Sequence, residues 1–234
     1  MKTALILCAL LIAMPVWAGT FRDDFEGGDM EGWTKLGEGR CLVENGVLIL
    51  EMFEKDVKGT LAKCGDETWK VDTLAFDLKV KKQEYYFTCD MRLQIRDDGT
   101  MPRMDCIFVD NAPAEKLVMA CVDNDDGLDE DTQCMAKVFP LTIDKWYKIK
   151  AIVDKSIFKV FIDDENILFV NMRNKPIPES GLIDFWTAGA GEYHLDNIIV
   201  TGAGVPNTGP SGMNSPFFVG FNDKLTTAWG SIKQ

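Results

Sequence analysis

Polar and apolar residues alternate most clearly in Asp144–Asn171, where Lys148 and Lys150 interleave with Tyr147, Ile149 and Ala151, and Lys159 separates Phe158 from Val160 and Ile162. A period of two places successive side chains on opposite faces of an extended chain. The segment therefore predicts three half-buried strands divided by Asp/Lys/Ser and Asp/Asp/Glu/Asn turns. The same reading gives a strand at Thr20–Glu26 and a hairpin of Arg40–Glu44 with Val47–Met52 around Asn45-Gly46. Long strands follow at Val71–Val80 and Glu84–Ile95, then a meander of Met104–Val109, Lys116–Cys121 and Cys134–Phe139. Gly181–Trp186 and Tyr193–Val200 close the pattern. No long stretch has a helical period, so the expected class is all-β with short, regularly spaced strands.

The two ends differ from this core. Residues 1–18 read as a secretory signal: Lys2 supplies the positive start, Ala4–Met14 the apolar run, and Val16-Trp17-Ala18 a small residue at the cut. That run is too short to span a bilayer and no later run is longer, so no transmembrane segment is expected. The chain is expected to be secreted, to the periplasm or beyond the cell. Residues 19–202 form the predicted domain, and residues 203–216, rich in Gly, Pro, Asn and Ser, read as a linker. Residues 217–234 are apolar again, with Phe217, Phe218, Phe221, Leu225, Trp229 and Ile232. So many large apolar groups are not expected to hang free in water. The tail either packs on the domain, docks on a surface partner, or serves as a sorting tag.

Charge narrows the partners. There are 37 acidic and 25 basic residues, a net charge of −12, and loss of Lys2 with the signal takes it to −13. Such a surface repels phosphate backbones and anionic lipid, so nucleic acid is excluded as an expected partner and cations are favoured.

Cys8 lies in the signal, which leaves Cys41, Cys64, Cys89, Cys106, Cys121 and Cys134, an even number in an exported chain. The midpoints between successive members of the last four fall at turn-forming residues. An antiparallel meander would then set them in one row, pairing Cys89–Cys106 and Cys121–Cys134 and leaving Cys41–Cys64. A rival pairing joins Cys106 to Cys121, and reduced core thiols are the other alternative. No pair has the spacing of a zinc or redox motif.

Three segments together carry a family resemblance: Phe21–Glu26 with Gly32-Trp33, the Lys145–Asp164 hairpin, and Ser180–Trp186 with Asp196–Val200. In this order they resemble the concanavalin A-like lectin/glucanase superfamily, in its laminin-G-like bacterial branch, over roughly Thr20–Gly202. The tail ending Lys224–Lys233 resembles C-terminal tags of secreted proteins from environmental bacteria. The resemblance implies a jelly-roll sandwich of two antiparallel sheets with the first and last strands side by side. It also implies glycan chemistry, as lectin, adhesion module or glycoside hydrolase.

The hydrolases of this superfamily carry Glu-x-Asp-x-(x)-Glu on one strand, which would bring two carboxylates to one face. That spacing is absent here: the strands around Glu84 and Asp90 lack the partner acids. The only histidine is His194, placed by alternation beside Asp196, and a lone strand histidine is the ordinary structural case. The expected function is therefore a non-catalytic binding module for an extracellular polysaccharide or glycan. The alternatives are a hydrolase or lyase with an unfamiliar site, and an adhesion protein docked through its tail. Trp186, Tyr85 and Tyr86 are the candidate sugar-stacking aromatics, while Trp33, Trp69 and Trp146 are expected in the core. By the resemblance, a structural calcium ion would sit at Glu26 and Asp196, with Asp24 as a third ligand. The acidic run Asp123–Asp131 resembles a calcium loop in an incorrect register and reads better as a solvated hairpin loop stapled by Cys121–Cys134.

Overall fold

The computed structural model describes residues 18–53, 59–95, 103–112, 115–123, 133–139, 141–171 and 179–209, with backbone alone at 83–88, 94–95, 103–112, 115–123, 133–134, 136 and 188. The predicted signal core, half of the linker and the apolar tail lie outside these residues, as does all of Asp123–Asp131 beyond its first residue.

Thirteen strands and no helix make up the described residues. They are β1 (Ala18–Asp23), β2 (Thr34–Gly37), β3 (Arg40–Glu44), β4 (Val47–Met52), β5 (Thr60–Cys64), β6 (Lys70–Ile95) and β7 (Arg103–Ala112). They continue with β8 (Glu115–Asp123), β9 (Gln133–Val138), β10 (Trp146–Asp154), β11 (Ile157–Ile162), β12 (Glu165–Asn171) and β13 (Leu182–Ala203).

Two long strands organise the sandwich. β6 and β13 pair antiparallel from Leu182 opposite Ile95 to Ala203 opposite Lys70. The first half of β6 and the second half of β13 belong to one layer, in the order β12-β11-β10-β6-β13-β1, with β4 and β3 continuing from the middle of β13. The other halves belong to the second layer, in the order β9-β8-β7-β6-β13-β5-β2. Register breaks at Gly189/Gly191 and Glu192/Tyr193 lie in the middle of β13, between the halves. A bulge of this kind sharpens twist and bend without ending the strand.

The hairpins follow their turn chemistry. Asn45 and Gly46 both have positive φ, 54° and 72°, between Glu44 and Val47, which are paired. Asp163 and Asp164 do the same between Ile162 and Glu165. Two left-handed residues give a turn whose twist matches that of the flanking strands.

The inner faces meet in one core. Phe76 from the first layer packs edge-on against Phe185 from the second, with centroids 4.9 Å apart, and Phe21 lies 5.3 Å from Trp69. Trp33 is also buried, and its Nε1 donates to Asp23 Oδ2 at 2.7 Å. That carboxylate also accepts from the Phe25 backbone N–H, so a buried Asp is hydrogen-bonded on both oxygens.

Four expectations are corrected. The predicted strand pairs 71–80 with 84–95, and 181–186 with 193–200, are single long strands, because Lys81–Gln83 and Ala188–Gly191 bend without breaking the ladder. β2 and β5 escape the periodicity reading because each is only a few residues long. Trp146 is not core: Tyr147 takes the inward position, so Trp146 faces out, 38% exposed beneath Lys79 at 4.4 Å. The cysteine row also fails. Cys89 lies opposite Phe108, Cys106 opposite Met91 and Ala120, and only Cys121 and Cys134 share a register position. Cys41, Cys64 and Cys89 are buried thiols, so neither Cys41–Cys64 nor Cys89–Cys106 is bridged. The β6–β7 pairing is centred one residue beyond the 89/106 midpoint, which sets residue 108 rather than 106 opposite Cys89, and the β7–β8 pairing is centred half a residue before the 106/121 midpoint, a one-residue slip of register that moves a side chain to the other face.

Candidate functional site

Alternation along the two long strands gives each layer an inner and an outer set. In the second layer, Cys89, Met91 and Leu93 on β6, with Ile183 and Phe185 on β13, point into the core. The residues between them, Asp90, Arg92, Asp184 and Trp186, therefore share the outer face. Register makes them neighbours: Arg92 is opposite Asp184, and Asp90 is opposite Trp186. The pairing extends to Lys63 on β5, opposite Asp184, and to Asp105 on β7, opposite Arg92.

Two carboxylates on this outer face are nonetheless buried. Asp90 is 4% exposed and Asp184 is 6% exposed, although neither points into the core. Burying carboxylates is costly unless counter-charge and donors accompany them. The Arg92 guanidinium supplies the charge to both: Nη2 lies 3.9 Å from Asp90 Oδ2 and Nε lies 3.8 Å from Asp184 Oδ1. The same guanidinium lies over the Trp186 indole, with Cζ 4.7 Å from the ring centroid, which orients both groups. On the other flank the backbone of Gly59 comes so close that a Cβ there would sit 2.3 Å from Trp186 Nε1 and 2.2 Å from the Thr187 carbonyl oxygen. Tyr193 Oη donates to the Trp186 carbonyl at 3.2 Å from beneath. The indole is thus held on several sides while staying partly exposed.

Such a patch combines a flat aromatic ring with fixed acceptors and donors at its edge. It can stack on the apolar face of a sugar and hydrogen-bond the equatorial hydroxyls around it. Asp90 and Asp184 are diagonal neighbours on adjacent strands, a relation that spaces Cβ atoms by about 7 Å. Two carboxylates on one face is the raw material of a glycosidase, assembled here from two strands rather than one. An acid–nucleophile pair, however, works by holding its two carboxyls in different environments. Here both lie against the same guanidinium.

Of the residues singled out from sequence, Trp186 belongs to this patch. Tyr85 and Tyr86 lie on β6 close to its bend, and their side chains are outside the described residues. Asp90, Arg92 and Asp184 were not singled out as site residues. The available signal was a charged residue at every second position beside core residues, in Cys89–Leu93 and Ile183–Phe185.

His194 is on the outer face of the first layer, and its partner is Glu192, not Asp196: Nε2 lies 2.5 Å from Glu192 Oε1. Burial lowers its pKa, against the pull of Glu192.

The expected calcium ligands are near one another without forming a cage. Asp196 lies opposite Asp77, and burial, followed by the charges of Asp77, Asp24 and Glu26, pushes its pKa up to about 6. Asp196 and Asp24 each accept a backbone hydrogen bond: Asp196 Oδ1 from Asn197 N at 2.6 Å, and Asp24 Oδ1 from Glu26 N at 3.2 Å. The Glu26 carboxylate lies against Gly46, where a Cβ would sit 3.2 Å from Oε1. Asp77 Oδ2 accepts from Asn197 Nδ2 at 2.9 Å. Among the described residues, no three acidic, His or Cys side chains are grouped so as to hold a metal ion. As placed, these residues do not fit a calcium site.

No known family model matches this chain, and no curated protein matches it. Solved structures do. The carbohydrate-binding module CBM66 from Bacillus subtilis superposes with a TM-score of 0.53 at 13% identity, over 73% of this chain and 96% of that one. SCLam, a non-specific endo-β-1,3(4)-glucanase of family GH16, gives 0.60 at 11% identity, over 82% and 94%. The Crh5 transglycosylase gives 0.64 at 9% identity, over 79% and 85%. The fold is the concanavalin A-like jelly roll, two antiparallel sheets packed face to face. At these identities the likeness is one of fold, shared by proteins that bind glycans and proteins that cleave or transfer them.

Proposed function

We propose that this chain is a secreted, non-catalytic glycan-binding module whose site is the outer face of the second layer. Trp186 is the stacking platform, Asp90 and Asp184 accept from sugar hydroxyls, and Arg92 donates to them while fixing the ring. The observation that carries the reading is the Trp186–Arg92 stack between two buried carboxylates. Solved neighbours of this fold that act on or bind carbohydrate support the ligand class, and among the described residues no helix is long and apolar enough to cross a membrane. The test is a glycan array probed with the mature chain, followed by calorimetry on any ligand found. Trp186→Ala should weaken binding by about tenfold or more, as loss of an aromatic anchor does. Unchanged affinity in that variant would remove the site from this face.

A hydrolase acting through Asp90 and Asp184 is the second reading, favoured by their shared face. It predicts release of reducing ends from β-glucan or mucin-type glycans, abolished by Asp184→Asn. Binding without turnover would discard it.

A further inference from the structure

The outer face of the first layer, across the sandwich from Trp186, carries a second surface of different chemistry. One register row runs Phe169, Lys159, Ile152, Thr73, Thr201 and Thr20 from β12 to β1. The next row sets Phe161, Lys150, Ala75, Ile199 and Arg22 in line across the neighbouring strands. All of these are at least partly exposed, and Phe169 is 43% exposed. Neither row contains a carboxylate. Acids flank them, with Asp77, Asp196 and Asp163 on one side and Asp154 and the exposed Asp72 on the other.

In a chain of net charge −12, an acid-free strip six strands wide is a local reversal of sign. At about 4.8 Å per strand it extends roughly 24 Å. Its two lysines are paired with rings rather than acids: Lys150 Nζ is 4.8 Å from the Phe161 centroid and Lys159 Nζ is 5.9 Å from that of Phe169. A cation held over an aromatic face keeps its charge available to an anion arriving from outside. Threonine hydroxyls at the far end offer donors and acceptors at the same height.

We propose that this strip binds an acidic polysaccharide, its carboxylate or sulfate groups pairing with Lys150, Lys159 and Arg22 and its sugar faces lying on Phe161 and Phe169. The length of the strip suits an extended polymer. The local charge complements a polyanion, and repulsion from the acidic remainder of the protein confines the contact to this face. The surface is independent of the Trp186 site.

The test uses the mature chain with polygalacturonate, its neutral methyl ester, and polyphosphate, by biolayer interferometry at low and high salt. Polygalacturonate should bind and its ester should not, with affinity falling as salt rises. Lys150→Glu with Lys159→Glu should weaken binding about tenfold or more, and Phe161→Ala with Phe169→Ala should also weaken it, while melting profiles confirm folding. Trp186→Ala should leave it unchanged, which separates this surface from the other site. Failure to bind polygalacturonate overturns the proposal, as does binding indifferent to the lysine reversals. Equal binding of polyphosphate that ignores the phenylalanine changes would show bare polyanion attraction and overturn it. So would a stable dimer in solution that the lysine reversals dissociate, because the strip would then be covered by a second copy.

Discussion

Asp196→Asn is expected to stabilise the protein near neutral pH and to do nothing in acid. The Asp196 carboxyl is half-buried beside Asp77, with Asp24 and Glu26 close enough to be felt, and its folded-state pKa is pushed up to about 6 from the ordinary 3.8. Each pKa unit corresponds to about 1.36 kcal/mol, so two units would be near 3 kcal/mol. Partial solvent screening of a half-buried group reduces this to about 1–2 kcal/mol. The sign follows from proton linkage. Between the unfolded value, near pH 4, and the folded value, near pH 6, the folded state holds a proton that the unfolded state has lost. Stability from this group is therefore highest below about pH 4, falls as pH rises to about 6, and is flat above. Asparagine keeps an oxygen to accept from Asn197 N, so the hydrogen bond survives. For a domain of this size 1 kcal/mol moves the melting midpoint by about 2–4 °C. Thermal melts by circular dichroism in chelator should show the variant about 2–8 °C above wild type at neutral pH and level with it near pH 4. A variant that is less stable at neutral pH, or an offset that does not change with pH, would refute the reasoning. A calcium arm reads a separate question. If calcium raises the wild-type midpoint and not that of the variant, these acids close on an ion after all, because a ligand of the folded state stabilises it.

Further outcomes test other parts of the structure. Phe185→Ala removes a fully buried ring from the contact between layers and should cost about 3–5 kcal/mol in urea unfolding. Trp33→Phe strips the buried Asp23 of its indole donor and should cost about 1–3 kcal/mol, more at neutral pH than in acid because burial already raises the Asp23 pKa. Burial pushes the Cys41 and Cys64 thiols up to about 11 and about 12, so both should resist iodoacetamide in the folded state and react once unfolded, as read by peptide mass mapping. Gly59→Ala places a methyl against the Trp186 indole and the Thr187 carbonyl. It should shift tryptophan emission and lower glycan affinity together, and either change without the other would separate the ring from the site.

The sequence alone determined the strands of Asp144–Asn171, the Asn45-Gly46 hairpin and the all-β class. These depend on a two-residue period and on residues that accept positive φ, both of which are local properties. It also marked Trp33 and Trp69 correctly as core. What only the tertiary structure decided depends on register. Asp90 and Asp184 are 94 residues apart in the chain, and nothing local says that β6 and β13 pair so that one arginine serves both. The cysteine pattern failed for the same reason, since a displacement of one residue in a hairpin changes both partner and face. Trp146 was misplaced because Tyr147 beside it competes for the same inward position, and only packing decides between two adjacent aromatics. Alternation fixes that every second residue shares a face. Which face becomes core, and which distant strand lies alongside, is set by the burial of the whole sandwich.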